Sequence, residues 1–361
     1  MLAKVFRYLK GKREVVHAFH ESAHYMAAGL YEFDKSIKYI RRKDPVIKDR
    51  ASMVLQESEY KKRSKLWLIY LLKQTIFRKA LSISRSDLHT QEFIGQVYLP
   101  FGSANGYRDR KIFDLENNKV LTIYLDKKGY HTVLTDHDLF REYFPMPTII
   151  WADDQQLTTI EELISFHPVN QWKEEDLQFV MEDIFIRSFY YFNECLSKRV
   201  YSFTTAIDII NTLPNREEVN FIKNKINPDL LELEIPVLTL HGDLWAANTL
   251  LVKGKTNQVK YIDWEFSNEF TFFYDFFMMM WLDVYMKNRF ELINSYVNGD
   301  YDQHFKRIFS LFYLTFASKY RMDYFHLFFL NFFKERLVHF SEADQQVYFL
   351  QYKRLVETLE Q

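Results

Sequence analysis

Apolar and polar positions divide the 361-residue chain into a charged helical start, a strand-rich stretch and a long helical remainder. In residues 1–90 apolar positions recur at helical spacing among many charges. Leu2, Val5, Phe6 and Leu9 alternate with Lys4, Arg7, Lys10, Lys12 and Arg13, a short basic amphipathic segment. Lys35, Lys38, Arg41, Arg42, Lys43 and Asp44 then lead to Pro45, which breaks a helix or starts a new one. Residues 66–76 are apolar enough to pack, and residues 82–87 read as a connector. From about residue 92 the period shortens to that of strands. Residues 94–99 run into Phe101-Gly102-Ser103-Ala104-Asn105-Gly106, and residues 111–115 and 120–125 flank Glu116-Asn117-Asn118 as a hairpin. Residues 147–151 and 157–163 predict two more strands. After His167-Pro168 the spacing is helical, over 177–196 and 200–213, and it is helical again beyond Asp275 to the end. There Phe309, Phe312, Tyr313, Phe316 and Tyr320, then Tyr324, Leu327, Phe328 and Phe332, form aromatic stripes that predict core. The class is α+β.

Composition narrows this picture a little. Lys+Arg is 47 against Asp+Glu 48, so net charge gives no case for nucleic acid. The single cysteine, Cys195, excludes an internal disulfide framework and suits a reducing compartment, with the cytoplasm as the expected location. No secretory signal pattern and no uncharged apolar run of membrane-spanning length are expected. The basic first segment would suit an anionic membrane surface; a solvated helix face is the competing reading.

One stretch carries the chemistry. Residues 237–240 are a short apolar run, followed by the polar loop His241-Gly242-Asp243-Leu244-Trp245-Ala246-Ala247-Asn248. Two apolar runs, 249–252 and 259–262, then flank Gly254-Lys255-Thr256-Asn257 as a hairpin ending in Asp263-Trp264-Glu265. Because the hairpin folds the chain back, Asn248 entering it and Asp263 leaving it can sit at one end, close to Asp243. Phosphoryl transfer needs such parts: a carboxylate to orient a hydroxyl, and oxygen ligands for Mg²⁺. A second pattern competes. His20-Glu21-Ser22-Ala23-His24 has the H-E-x-x-H form of a zinc peptidase, in which two histidines one helical turn apart bind zinc and the glutamate is the base. No third ligand is identifiable, and histidines on a helix surface are the simpler reading.

The run His-Gly-Asp-Leu-Trp-x-x-Asn, then Ile-Asp-Trp-Glu, then Tyr274-Asp275 resembles the aminoglycoside phosphotransferase and choline kinase branch of the protein-kinase-like fold. The likeness is specific over about residues 237–276 and holds in outline elsewhere. It implies a two-lobed α+β fold: a helical N-terminal extension over 1–90, an antiparallel-sheet N-lobe binding nucleotide over 91–165, and a mainly helical catalytic and substrate-binding C-lobe over 166–361. It implies ATP and Mg²⁺ as cofactors and a hydroxyl of a small molecule or glycan as acceptor. Asp243 would be the base, Asn248 and Asp263 the metal ligands, and His241 and Asp275 the braces of the loop. Gly102 and Ser103 would lie in the turn over the phosphates. Glu162 and Ile164 would lie in the hinge that meets adenine.

One family feature is missing. The third strand of the lobe implies a lysine for the nucleotide phosphates, and that slot falls at Tyr124. Lys127, three residues on, is the expected substitute, with Lys128 following it and Lys111 on the neighbouring strand as competitor. The partner glutamate would be Glu142, on a short helix before Pro145. Without such a lysine the alternative is a pseudokinase that binds nucleotide or acts as a scaffold. With no acidic cluster among the C-terminal helices, a polycationic acceptor is not expected.

Overall fold

The structure is a computed structural model, and it describes residues 13–34, 39–55, 81–84, 93–103, 106–214, 216–254 and 258–360. The basic segment before Arg13 and residues 66–76 lie outside the described residues. Two compact units divide the chain: 1–135 with 147–168 and 252–255, and 136–146 with 169–251 and 256–361.

The first unit is built on an antiparallel sheet. Its strands in chain order are β1 (Gly29–Phe33), β2 (Ile40–Arg42), β3 (Ser82–Ile83), β4 (Val97–Ser103), β5 (Gly106–Asp114), β6 (Lys119–Ile123), β7 (Ile149–Asp153) and β8 (Thr158–Glu162). They lie in the order β3-β1-β2-β4-β5-β6-β8-β7. Both faces are covered, which is why β4 and β5 carry apolar residues at adjacent positions. Tyr98, Ile112 and Leu121 pack with Val15, Val16 and Phe19 of helical residues 13–21. Val97 and Phe113, one residue over, pack with Ile47 and Ala51 of the helix Pro45–Val54. That helix starts at Pro45, with Asp44 capping it by accepting from the N–H groups of Val46 (2.9 Å) and Ile47 (3.3 Å). The β5–β6 turn is held by Asp114, which accepts from Asn117 N at 3.0 Å and Asn117 Nδ2 at 2.7 Å.

The described part of residues 1–90 corrects the expected helical extension. It supplies three strands to this same sheet, so no boundary falls at residue 90. The charges masked these strands: Arg41 is buried, with Nη2 on Glu32 Oε1 at 3.2 Å.

The second unit is mainly helical. Its helices include Glu174–Lys198, Tyr274–Lys287, Arg321–Glu335 and Glu342–Leu359. Aromatic rings fill its core edge to face, as in Phe277–Tyr296 (5.0 Å between centroids, 84°) and Phe309–Tyr324 (5.0 Å, 64°). Two helical expectations are corrected. Residues 200–213 contain the strand Ser202–Thr204 before the helix Ala206–Thr212. The first aromatic stripe outruns its helix, Asp302–Leu311: Phe312 and Phe316 are buried beyond its end, but Tyr313 is 96% exposed. Ser202–Thr204, Ile235–Leu240 and Asn268–Thr271 form a three-stranded antiparallel sheet in that order. Cys195 is buried in the long helix Glu174–Lys198, and no described helix is long and apolar enough to cross a membrane.

Candidate active site

The strand Ile235–Leu240 pairs with Asn268–Thr271, Leu240 opposite Asn268. The loop that follows Leu240 lies beside the first turn of helix Tyr274–Lys287. Asp275 in that turn accepts from both loop amides, His241 N to Oδ2 at 2.9 Å and Gly242 N to Oδ1 at 3.0 Å. The turn needs glycine. Gly242 has φ +73°, and an added Cβ would lie 2.5 Å from the Phe266 carbonyl oxygen and 2.5 Å from the Phe270 ring.

His241 is buried and neutral, since burial lowers its pKa to about 4. Its two nitrogens do different work. Nδ1 accepts from the Asp243 amide at 3.3 Å, which assigns the proton to Nε2, the donor to the Ile262 carbonyl at 2.9 Å. The ring thus ties the loop to the far strand of the hairpin and lies 4.5 Å from the Trp264 ring.

The hairpin Thr249–Val252 and Val259–Tyr261 is in register with Thr249 opposite Tyr261. Asn248 and Ile262 are the next rung, bonded Ile262 N to Asn248 O at 3.0 Å. Asp263 follows with φ +60°, in the left-handed region. Asn248 lends its amide nitrogen to Asp243, donating to the carbonyl at 2.8 Å and to Oδ2 at 3.0 Å. The amide's carbonyl oxygen remains for a hard cation. Asp243 and Asn248 are thus in direct contact, and Asp263 comes one residue after the Asn248–Ile262 rung. The charge of Asp263 is felt at both Asp243 and His241.

Arg336 was not expected. It leaves the end of helix Arg321–Glu335, donates from Nη1 to the Gly242 carbonyl at 2.9 Å, and places Nη2 3.4 Å from Asp243 Oδ1. Its guanidinium lies 4.1 Å from the Phe266 ring centroid. Burial pushes the Asp243 carboxyl up, while Arg336 and Asn248 pull it down. It lies 93 residues from Asp243 in sequence, and no local motif marks it.

The nucleotide residues expected from sequence belong to the other unit. Gly102 and Ser103 pair with Tyr107 and Gly106 at the β4–β5 turn, after a bulge between Pro100 and Gly102. Glu162 ends β8; its amide donates to the Thr148 carbonyl at 3.0 Å and its carboxylate accepts from Thr148 N at 3.0 Å. Ile164 is half-buried just beyond that strand. Lys127 and Lys128 are exposed and open the helix Lys127–Phe140, so Lys127 does not turn inward from the strand end as expected. That helix ends before Glu142.

The zinc-type pattern does not form. The helix ends at Glu21 and the chain turns into a 3₁₀ segment Ala23–Tyr25, so His20 and His24 do not share one helical face. Glu21 is held by Arg110 Nη2 at 2.8 Å and His17 Nδ1 at 3.2 Å.

No family model matches the chain, and no curated protein matches it. Among solved structures it is similar to the aminoglycoside phosphotransferase APH(4)-Ia in a ternary complex with ADP and hygromycin B. The identity is 12%, the TM-score 0.47, and the match covers 72% of this chain and 93% of that one. It is also similar to the choline kinase LicA from Streptococcus pneumoniae (12% identity, TM-score 0.41, covering 81% and 99%). A third likeness is to an ethanolamine kinase from Plasmodium vivax (12%, TM-score 0.35, covering 85% and 92%).

Proposed function

We propose that this chain transfers the terminal phosphoryl group of ATP, with magnesium, to a hydroxyl of a small molecule or glycan. The observation that carries this reading is the Asp243 carboxylate, held by Asn248 on one oxygen and Arg336 on the other, with Asp263 beside it. Asp243 orients the acceptor hydroxyl and takes its proton as the oxygen bonds to phosphorus and the bond to ADP breaks. Asn248 and Asp263 offer the oxygen donors a hard cation prefers, and both are fixed by the end of one hairpin. Bound magnesium would neutralise charge on the phosphate oxygens. His241 and Asp275 hold the loop. The first unit is the nucleotide-binding one in this reading. The lone buried cysteine suits a reducing cytoplasm.

The test is nucleotide binding with and without Mg²⁺, followed by ADP release on a panel of sugars, choline-like alcohols and aminoglycosides. Asp263→Ala should weaken Mg²⁺-dependent nucleotide binding, and His20→Ala should leave it alone. Loss of activity in His20→Ala together with stoichiometric bound zinc would overturn the reading.

Arg336 gives a pH signature. Its charge holds down the pKa of a carboxyl that burial raises, and the base must be ionised to act. In Arg336→Met the acid limb of the pH–rate profile should therefore move to higher pH, and Arg336→Lys should restore part of that shift. An unmoved limb would mean that Arg336 only packs.

A further inference from the structure

The register of the first unit's sheet bears on the missing lysine. Lys111 of β5 lies opposite Leu99 on one side and Thr122 of β6 on the other, and Thr122 lies opposite Thr159 of β8. Directly opposed side chains share a face, and so do residues two apart along a strand. Lys111, Thr122 and Tyr124 therefore share one face, together with Glu161, which lies opposite Val120. Tyr124 is the diagonal neighbour of Lys111, at roughly 7–8 Å, a span that a long side chain covers. Its ring is buried, with Oη 3.3 Å from Thr159 Oγ1.

The other lysines nearby are placed differently. Lys119 shares the opposite face with Leu121 and Ile123, at the hairpin end of β6. Lys127 and Lys128 sit exposed in a helical first turn. Lys111 alone of these four is half-buried on the Tyr124 face. Its charge is felt at the Tyr124 hydroxyl, where it opposes burial, Glu161 and Asp109.

We propose that Lys111, reaching across from β5 with Glu161 as its counter-charge, supplies the cation for the nucleotide phosphates at the place Tyr124 occupies just past the end of β6. The proposal rests on the phosphotransferase reading. Gly106, the first residue of β5, lies five residues before Lys111 on the same strand.

The test uses the full chain and two measurements. A biotinylated ATP acyl phosphate transfers its acyl group to the lysine amine nearest the phosphates. Peptide mapping should find the tag on Lys111, suppressed by excess ATP. A tag on Lys119, Lys127 or Lys128 instead would overturn the inference. Calorimetry should show ATP bound about 10–100-fold more weakly by Lys111→Met, as expected for a lost charge-assisted hydrogen bond. Adenosine should bind unchanged, and Lys127→Met should stay within about twofold of the parent. Parent-like ATP binding by Lys111→Met also overturns the inference while leaving the proposed function standing. If the unmutated chain neither binds ATP nor takes an ATP-suppressible tag, the phosphotransferase reading itself fails and this inference goes with it.

Discussion

Asp243→Asn is expected to lower kcat by about 10²–10⁴-fold, the usual worth of a general base. The substitution keeps size but not hydrogen-bond polarity. Asp243 accepts on both oxygens, from Asn248 Nδ2 and from Arg336 Nη2. An asparagine offers one oxygen and one NH₂, so one of those donors must face another donor. A small loss of stability, on the order of 1 kcal/mol, accompanies the kinetic loss. A thermal melt and a nucleotide titration run beside the kinetics separate the two effects. Turnover equal to the parent's would remove Asp243 from the role of base.

The largest structural effect is expected at Asp275. Asp275→Ala takes the acceptor from two buried amides at once, those of His241 and Gly242. Each orphaned donor costs about 1–3 kcal/mol, so the variant should lose roughly 2–6 kcal/mol and the loop its shape. The deficit depends on pH. Burial raises the Asp275 carboxyl to about 7 despite the two amides that favour its charged form. The native state then holds a proton that the unfolded chain has released between pH 4 and 7, so this group's contribution to stability declines as pH rises through that window. The variant lacks that slope, and its deficit should be greatest near the acid end and shrink toward neutrality. Denaturant melts at several pH values measure this; a deficit that grows with pH would show that Asp275 is ionised throughout.

Much of the candidate site was legible because its parts are local. The loop, the amide and the second acid lie within residues 241–263, and the hairpin register joins them. Tyr274-Asp275 follows soon after, and Asp275 accepts from the loop amides of His241 and Gly242. Arg336 was not legible, because only the packing of the later helices returns it to the loop. The strands β1 and β2 were hidden for a different reason: Arg41 and Glu32 pair within the sheet, so the alternation of apolar and polar residues is broken by a pair that is partly buried yet charged. The H-E-x-x-H pattern, already disfavoured for want of a third ligand, shows the opposite limit: five letters fix spacing but not whether the helix continues past Glu21.

Asp263 sets selection for robustness against selection for turnover. A residue with a side chain held at φ +60° carries a conformational penalty on the order of 1–3 kcal/mol that glycine would escape. A library of variants sorted only for heat resistance would thus enrich glycine at this position, and each such winner would have discarded a carboxylate that the proposed phosphoryl transfer needs. Sorting the same library by turnover would restore the aspartate. The site where the two sorts disagree most would be the one where, in the proposed reading, this fold accepts an unfavourable backbone to present an oxygen ligand.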